Sequence, residues 1–359
     1  MIKPTKWKRS GAWRFSNHGR MAWQLLLRMA VSAILLTWIF TRQADLAGAL
    51  RVLQGAMPSF LALGFALFFV GELLTVYKWQ ILLRTVGVRC GFLDLTRAML
   101  IGEFYSMFLP TSVGGDVCRI ALTRSAAGST SVAASAALMQ RNTGMGGLLV
   151  LALVATSFVD TRFGLFSGPL AVFDRLITWF ALIALVYMAI NIVLLSEKAR
   201  VLLWCRLAKP AAHLPLLGRL IRFADDFHVA TRNMRLVFPA ALLLSMLTQF
   251  LDCLMGWCAG QAISARLSVA QACVFVPAAT LIALLPFSVN GIGLREVAYL
   301  TLTSQAGLSK EQAVALGTIH FACLVGLALI GGIWQLLSPA IVARENDKCA
   351  GRGADTSAP

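Results

Sequence analysis

Arg119 and Arg295 each close a short run in which proline, serine and glycine interrupt an otherwise apolar chain. Leu109–Arg119 reads Leu-Pro-Thr-Ser-Val-Gly-Gly-Asp-Val-Cys-Arg, and Leu285–Arg295 reads Leu-Pro-Phe-Ser-Val-Asn-Gly-Ile-Gly-Leu-Arg. Leu, Pro, Ser, Val, Gly and Arg recur in register, and the spacing from Pro110 to Pro286 is close to half of the 359-residue chain. Proline withholds a backbone donor and breaks a helix, which frees nearby backbone groups. Gly114, Gly115, Gly291 and Gly293 permit positive φ and close approach of another group. Successive free N–H groups can form an anion-binding nest, and the planar fork of an arginine suits phosphate or carboxylate. Asp116 and Glu296 stand ready to balance the two arginines when no ligand is bound. An anionic headgroup is the ligand such a pair of elements would take. The plainer reading is that proline and glycine only turn the chain while each arginine pairs with a nearby acid.

The surroundings of these elements are those of a membrane. The chain is 58% apolar and 13% charged, against roughly a quarter charged in ordinary soluble domains. Several apolar runs reach about 20 residues, enough for a hydrocarbon core of about 30 Å. Lys and Arg number 32 against 16 Asp and Glu, a net charge of +16. These basic residues cluster between apolar runs, where the positive-inside bias and anionic lipid explain them without nucleic acid. The eight cysteines show no C-x-x-C spacing and read as small apolar residues rather than metal ligands. Neither metal nor other cofactor is expected.

In chain order, residues 1–20 form a basic cytoplasmic segment, and the single transmembrane domain covers about residues 21–340. A first span runs from about Met21 to Phe40 and acts as a signal anchor. After a polar stretch with Arg42, Asp45 and Arg51, Pro58 opens a second span to about Leu83. That span contains Glu72 and ends in Tyr77-Lys78-Trp79, which reads as an interfacial anchor. Ala98–Leu109, with Glu103, is only about 12 residues long and has the length of a re-entrant segment. A span over about Val132–Val159 carries Gln140, Arg141 and Asn142. Another covers about Ala171–Leu195. The hydrophilic section at about 196–235 contains an apolar stripe from Leu216 to Met234 that suits a helix lying on the bilayer or packed on a partner. Spans then follow at about Leu236–Ala262, with Asp252, and about Gln312–Leu337, with His320. The tail, 341–359, reads as disordered. Glu72, Glu103, Arg141 and Asp252 are secondary site candidates because ionisable groups at membrane depth are costly to keep.

Placing the basic N-terminus and the 196–235 section in the cytoplasm gives each half the same plan in opposite senses. Repeat one (about 57–160) and repeat two (about 236–338) each hold a span, a hairpin with the Pro/Gly turn, and a span. The expectation is an all-α polytopic protein with an inverted repeat, about six full spans and two re-entrant hairpins, or about eight transmembrane helices.

On Phe108–Arg119, on Pro286–Glu296 and on Lys78-Trp79 before Gly87, the chain resembles the lysylphosphatidylglycerol synthase transmembrane-domain family, over about residues 20–340. Where that family often has Glu-Arg, this chain has Gln140-Arg141, and Asn290 precedes Gly291 in the second motif. The resemblance implies moving or handling polar lipids, anionic or polyprenyl-linked, across a bacterial inner membrane. In the two-part synthases a large soluble domain performs aminoacyl transfer. This chain runs to Pro359 without one, so aminoacyl transfer is not expected. A lipid flippase-like transporter is therefore the leading expectation, with both termini cytoplasmic. The alternatives are a membrane-embedded enzyme of polyprenyl- or phospholipid-linked envelope biosynthesis, and an accessory subunit without transport of its own. Homo-oligomers or an envelope-biosynthesis partner are compatible with either. No G-x-x-x-x-G-K-[ST] motif is present, so active movement would need ion coupling or an existing gradient.

Overall fold

The computed structural model describes residues 27, 29–43, 45–108, 114–127, 130–158, 170–195, 232–285, 287–288, 290–303 and 307–337. The basic N-terminal segment, the amphipathic stripe up to residue 231, the tail, and Pro110, Ser112, Pro286 and Val289 of the two motifs lie outside the described residues. The described residues are mainly helical, joined by short turns, with no strand among them. We label the helices α1 (Met29–Thr41), α2 (Leu46–Gln54), α3 (Pro58–Thr85), α4 (Phe92–Phe108), α5 (Gly114–Ala127), α6 (Thr130–Phe158), α7 (Leu170–Leu195), α8 (Phe238–Ala262), α9 (Val269–Ala283), α10 (Leu294–Thr303) and α11 (Lys310–Leu337).

Local chemistry fixes the ends of these helices. Pro58 begins α3, where its missing N–H costs nothing. Beyond Thr85 the N–H of Val88 returns to the Leu83 carbonyl at 3.0 Å around Gly87 at φ +82°, which stops the helix. Ser268 and Gln271 form a reciprocal capping box at the start of α9. Helix α2 replaces what the sequence read as a polar stretch. Asp45 is its cap, accepting from the backbone N–H groups of Ala47 and Gly48 at 3.1 and 3.0 Å.

Shifted by the spacing between the two prolines, α3, α4, α5 and α6 fall on α8, α9, α10 and α11 in order. The two leading helices of this series, α3 and α8, pack along each other and run antiparallel. Met57 N donates to the Ala262 carbonyl at 2.8 Å. Gly64 then faces Met255 and Cys258, Gly71 faces Thr248 and Leu251, and Lys78 reaches Ser245. Helix α4 lies along α11, with Arg97 over the Trp334 ring at 5.4 Å.

Among the described residues three helices, α3, α8 and α11, are long and apolar enough to cross a membrane by length and composition; α1, α9 and the central part of α7 are shorter apolar stretches. Helix α6 has 29 residues, but Gln140, Arg141 and Asn142 make its first half polar. Helix α4 has 17 residues, longer than the 12-residue segment expected, because it begins upstream at Phe92. Asp94 and Arg97 form an ion pair at 3.7 Å in its first turns. Helix α7 turns Trp179, Leu185, Val186, Met188 and Ile192 outward and is tied inward by Asn142 Nδ2 donating to Asn191 Oδ1 at 2.6 Å. A wide apolar outer face held to a bundle by buried amides is the arrangement expected of a helix facing lipid tails.

Candidate functional site

Between the two halves lies a cavity of about 330 Å³. Its wall combines Glu72, Thr75 and Lys78 of α3 with Glu103 and Ser106 of α4, Asp116 and Arg119 of α5, and Gln140 and Arg141 of α6. The second half adds Thr248, Gln249, Thr280, Leu284 and Asn290. Three basic and three acidic side chains therefore face one small volume.

Close approach of α4 and α5 creates its floor. A Cβ on Gly115 would collide with Ser106 Oγ and stand 2.7 Å from the Gly102 carbonyl oxygen. Gly115 is thus needed for contact and lies in regular helix, whereas the sequence reading gave it positive φ as a second use. Gly102 leaves room for the Arg119 stem, whose Cγ would be 2.9 Å from a Cβ there. Arg119, 7% exposed, donates from Nη2 to Glu103 Oε1 and from Nη1 to Asp116 Oδ1 at 3.4 Å. Arg141 Nη1 takes the other Asp116 oxygen at 2.5 Å. Asp116 is therefore the bridge between two arginines, and Glu103 holds the first of them.

Lys78 corrects the interfacial reading of Tyr77-Lys78-Trp79. Lys78 is 2% exposed and Trp79 fully buried, because α3 is covered on that side by α6 and α8. Lys78 Nζ donates to Ser245 Oγ at 2.7 Å and to the Gln140 carbonyl at 3.2 Å. An ammonium has three donors, so one remains to face the cavity. Arg119 Nε and Glu72 Oε2 are likewise buried without a hydrogen-bond partner among the described residues. Buried polar atoms are rarely left so. In a cavity wall such atoms can donate to or accept from a ligand or water.

The second motif is placed differently. Asn290, Gly291 and Gly293 have φ of +49°, +79° and +84°, which delivers the tight turn the glycines predict. The Gly293 N–H is already used, donating to Glu296 Oε2 at 2.8 Å, so Glu296 caps the first turn of α10. Asn290 Nδ2 reaches Met107 Sδ at 3.2 Å and joins the second motif to the end of α4. Arg295 is 6% exposed and lies outside the cavity wall. It shares a buried region with Asp252, Glu296 and Tyr299. The structure thus brings Glu72, Glu103, Gly115, Asp116, Arg119 and Arg141 to one place. It sets Gly291, Gly293, Arg295, Glu296 and Asp252 beside that place, and Gly114 at the start of α5. Sequence reasoning missed Lys78, Asn290 and the threonines of the second half. The available signal was Lys78 itself, a charge two turns inside the C-terminal end of a 28-residue apolar helix.

The chain belongs to the family of the lysylphosphatidylglycerol synthase TM region. The family model matches residues 25–332, which include both motifs and every residue of the cavity wall. Comparison with curated proteins and with solved structures finds no match. The family and the apolar helices together make the chain a membrane protein.

Proposed function

We propose that this protein is a flippase-like transporter that takes the polar or anionic headgroup of a membrane lipid into the cavity between its two halves. The family's name links it to phospholipid chemistry, and the cavity carries the rest of the reading. Its volume of about 330 Å³ accommodates a headgroup and leaves the acyl chains to the surrounding bilayer. The open donors on Lys78 and Arg119 would receive a phosphate, and charge-assisted hydrogen bonds of that kind are the strong ones. Glu103 and Asp116 hold the guanidinium of Arg119 in place while the site is empty. The antiparallel pair α3 and α8 supports an inverted repeat, with substrate held where the two repeats meet. In this reading the protein sits in the bacterial inner membrane with both termini in the cytoplasm, and its partners are membrane lipids.

The test is transbilayer movement of an acyl-labelled phosphatidylglycerol in proteoliposomes, followed by quenching of the outer leaflet. Arg119→Ala and Lys78→Met should each slow exchange by about tenfold or more, the equivalent of roughly 1.4 kcal/mol of lost interaction. Exchange at the wild-type rate in the double variant would overturn the reading. Glu72, whose Oε2 has no hydrogen-bond partner among the described residues, favours a second reading as the base of a membrane-embedded enzyme. A new lipid product formed by the purified protein alone would support that reading instead.

A further inference from the structure

A second group of ionisable side chains lies behind the cavity and takes no part in holding a headgroup. Asp252 of α8, His320 of α11 and Tyr299 of α10 converge there. His320 Nε2 stands 3.7 Å from Asp252 Oδ1, and Tyr299 Oη lies 3.2 Å from His320 Nδ1. His320 is 4% exposed, and the Phe68 ring of α3 meets it edge-on at 6.2 Å. Asp252 Oδ1 has no hydrogen-bond partner among the described residues. Neither has Glu72 Oε2, which faces the cavity from α3. The two carboxylates sit on neighbouring turns of the antiparallel pair, since Gly71 packs against Leu251 at 3.7 Å. They feel each other's charge.

We propose that Glu72, Asp252 and His320 form a proton-binding site that couples headgroup movement to a proton gradient; this rests on the headgroup reading of the cavity. Each step is a proton transfer only. A proton from the cavity binds Glu72 Oε2 together with the headgroup and returns to the cavity when the headgroup leaves; Asp252 Oδ1 and His320 Nε2 behind Glu72 can share that proton, His320 taking it at Nε2 only while its Nδ1–H donates to Tyr299 Oη. Chains of Asp, Glu and His inside a membrane are the usual carriers of such relays.

The coupling arises from charge. A phosphate bound at Lys78 and Arg119 would share the cavity with the Glu72 carboxylate, and two anions in one low-dielectric space repel. Protonating Glu72 removes that repulsion, so the headgroup and the proton favour each other's binding. Linkage makes the effect reciprocal. Other charged and titratable groups border the relay, with Arg141 of α6 and Asp116 of α5 in the same cavity wall as Glu72. Lys78 of α3, Glu103 of α4 and Arg119 of α5 act on Glu72. Arg295 of α10 acts on Asp252 and His320, with Glu296 beside it. The thiols of Cys253, Cys273 and Cys323 complete the surroundings. Arg295 thereby gains a use that the cavity does not give it: a fixed cation that lets Asp252 carry negative charge at this depth.

Proteoliposomes holding acyl-labelled phosphatidylglycerol, with an imposed pH gradient and with or without a protonophore, provide the test. Wild-type protein should shift the label's leaflet distribution several-fold when the gradient is imposed, and the protonophore should abolish the shift. Asp252→Asn should still exchange the label but ignore the gradient. His320→Gln serves as the second variant should Asp252→Asn fail to fold. Wild-type exchange that is indifferent to the gradient overturns the coupling and leaves the headgroup reading intact. Absence of any exchange by wild-type protein overturns the headgroup reading and the coupling with it. A wild-type response to the gradient in both Asp252→Asn and His320→Gln removes these residues from the relay.

Discussion

Among single residues, Arg119 and Lys78 are both buried cations, yet their partners differ and so should the results of removing them. Arg119 is matched to two carboxylates. Taking it away leaves Glu103 as an uncompensated charge, and breaking a buried pair from one side costs about 3–5 kcal/mol. Arg119→Ala should therefore lower thermal stability in detergent by about 3 kcal/mol. Adding Glu103→Gln should recover a good part of it, and a double-mutant cycle should give a coupling of about 1 kcal/mol or more. Additive effects would mean that the pair is not formed. The hydrogen bonds of Lys78 among the described residues go to the neutral Ser245 hydroxyl and Gln140 carbonyl, and its burial itself is costly. Lys78→Met keeps the stem and removes that cost, so it should leave stability nearly unchanged or raised while translocation falls. A melt that drops with Lys78→Met as far as with Arg119→Ala would show that Lys78 serves packing rather than ligand. This pairwise logic was half legible in the sequence. Asp116 lies three positions before Arg119 and announces itself. Ser245 and Gln140 lie 167 and 62 positions from Lys78, and no local pattern distinguishes a lysine of that kind from one at the membrane surface.

At the level of elements, the hairpin of α4 and α5 depends on a backbone contact that only glycine permits. A Cβ at residue 115 would meet Ser106 Oγ, a side chain that can move, and the Gly102 carbonyl oxygen at 2.7 Å, which cannot. Gly115→Ala should push α5 off α4, with an overpacking cost of about 1–3 kcal/mol, and displace Arg119 from Glu103. Adding Ser106→Ala should relieve only part of this, because the backbone collision remains. Full recovery of the melting temperature and of exchange in the double variant would show that the side chain alone set the limit. Gly293 fails for another reason. Its φ of +84° costs an L-residue about 1–2 kcal/mol. The two glycine-bearing motifs are thus alike in sequence and different in use. That difference was invisible to the sequence, where both glycines merely read as permissive. The helices themselves were well marked: Pro58, the apolar run to residue 83 and the long runs ending α8 and α11 all became helices at nearly the expected bounds. Helix α2 was hidden because Asp45 and Arg51 counted as loop polarity when one is a cap.

For the whole molecule, the strongest constraint is the direction of α3 relative to α8. These helices occupy the same place in the two halves yet run antiparallel, from the bond between Met57 and Ala262 at one end to that between Lys78 and Ser245 toward the other. Two copies of one plan related in this way have their equivalent loops on opposite faces of the bilayer. The exposed Arg89 follows α3 and the exposed Arg266 follows α8, so the two mark the test. In a variant whose native cysteines are replaced, Arg89→Cys should be shielded from a membrane-impermeant maleimide on intact cells and labelled in inside-out vesicles. Arg266→Cys should show the reverse. Arg89 would face the cytoplasm if the basic N-terminus and the 196–235 section do, and the antiparallel packing of α3 and α8 would put Arg266 on the opposite face. Reversal of both results would turn the protein over in the membrane and keep the repeat inverted. Labelling of both from one side would break the inversion, and with it the support that the repeat lends to a headgroup held where the two halves meet.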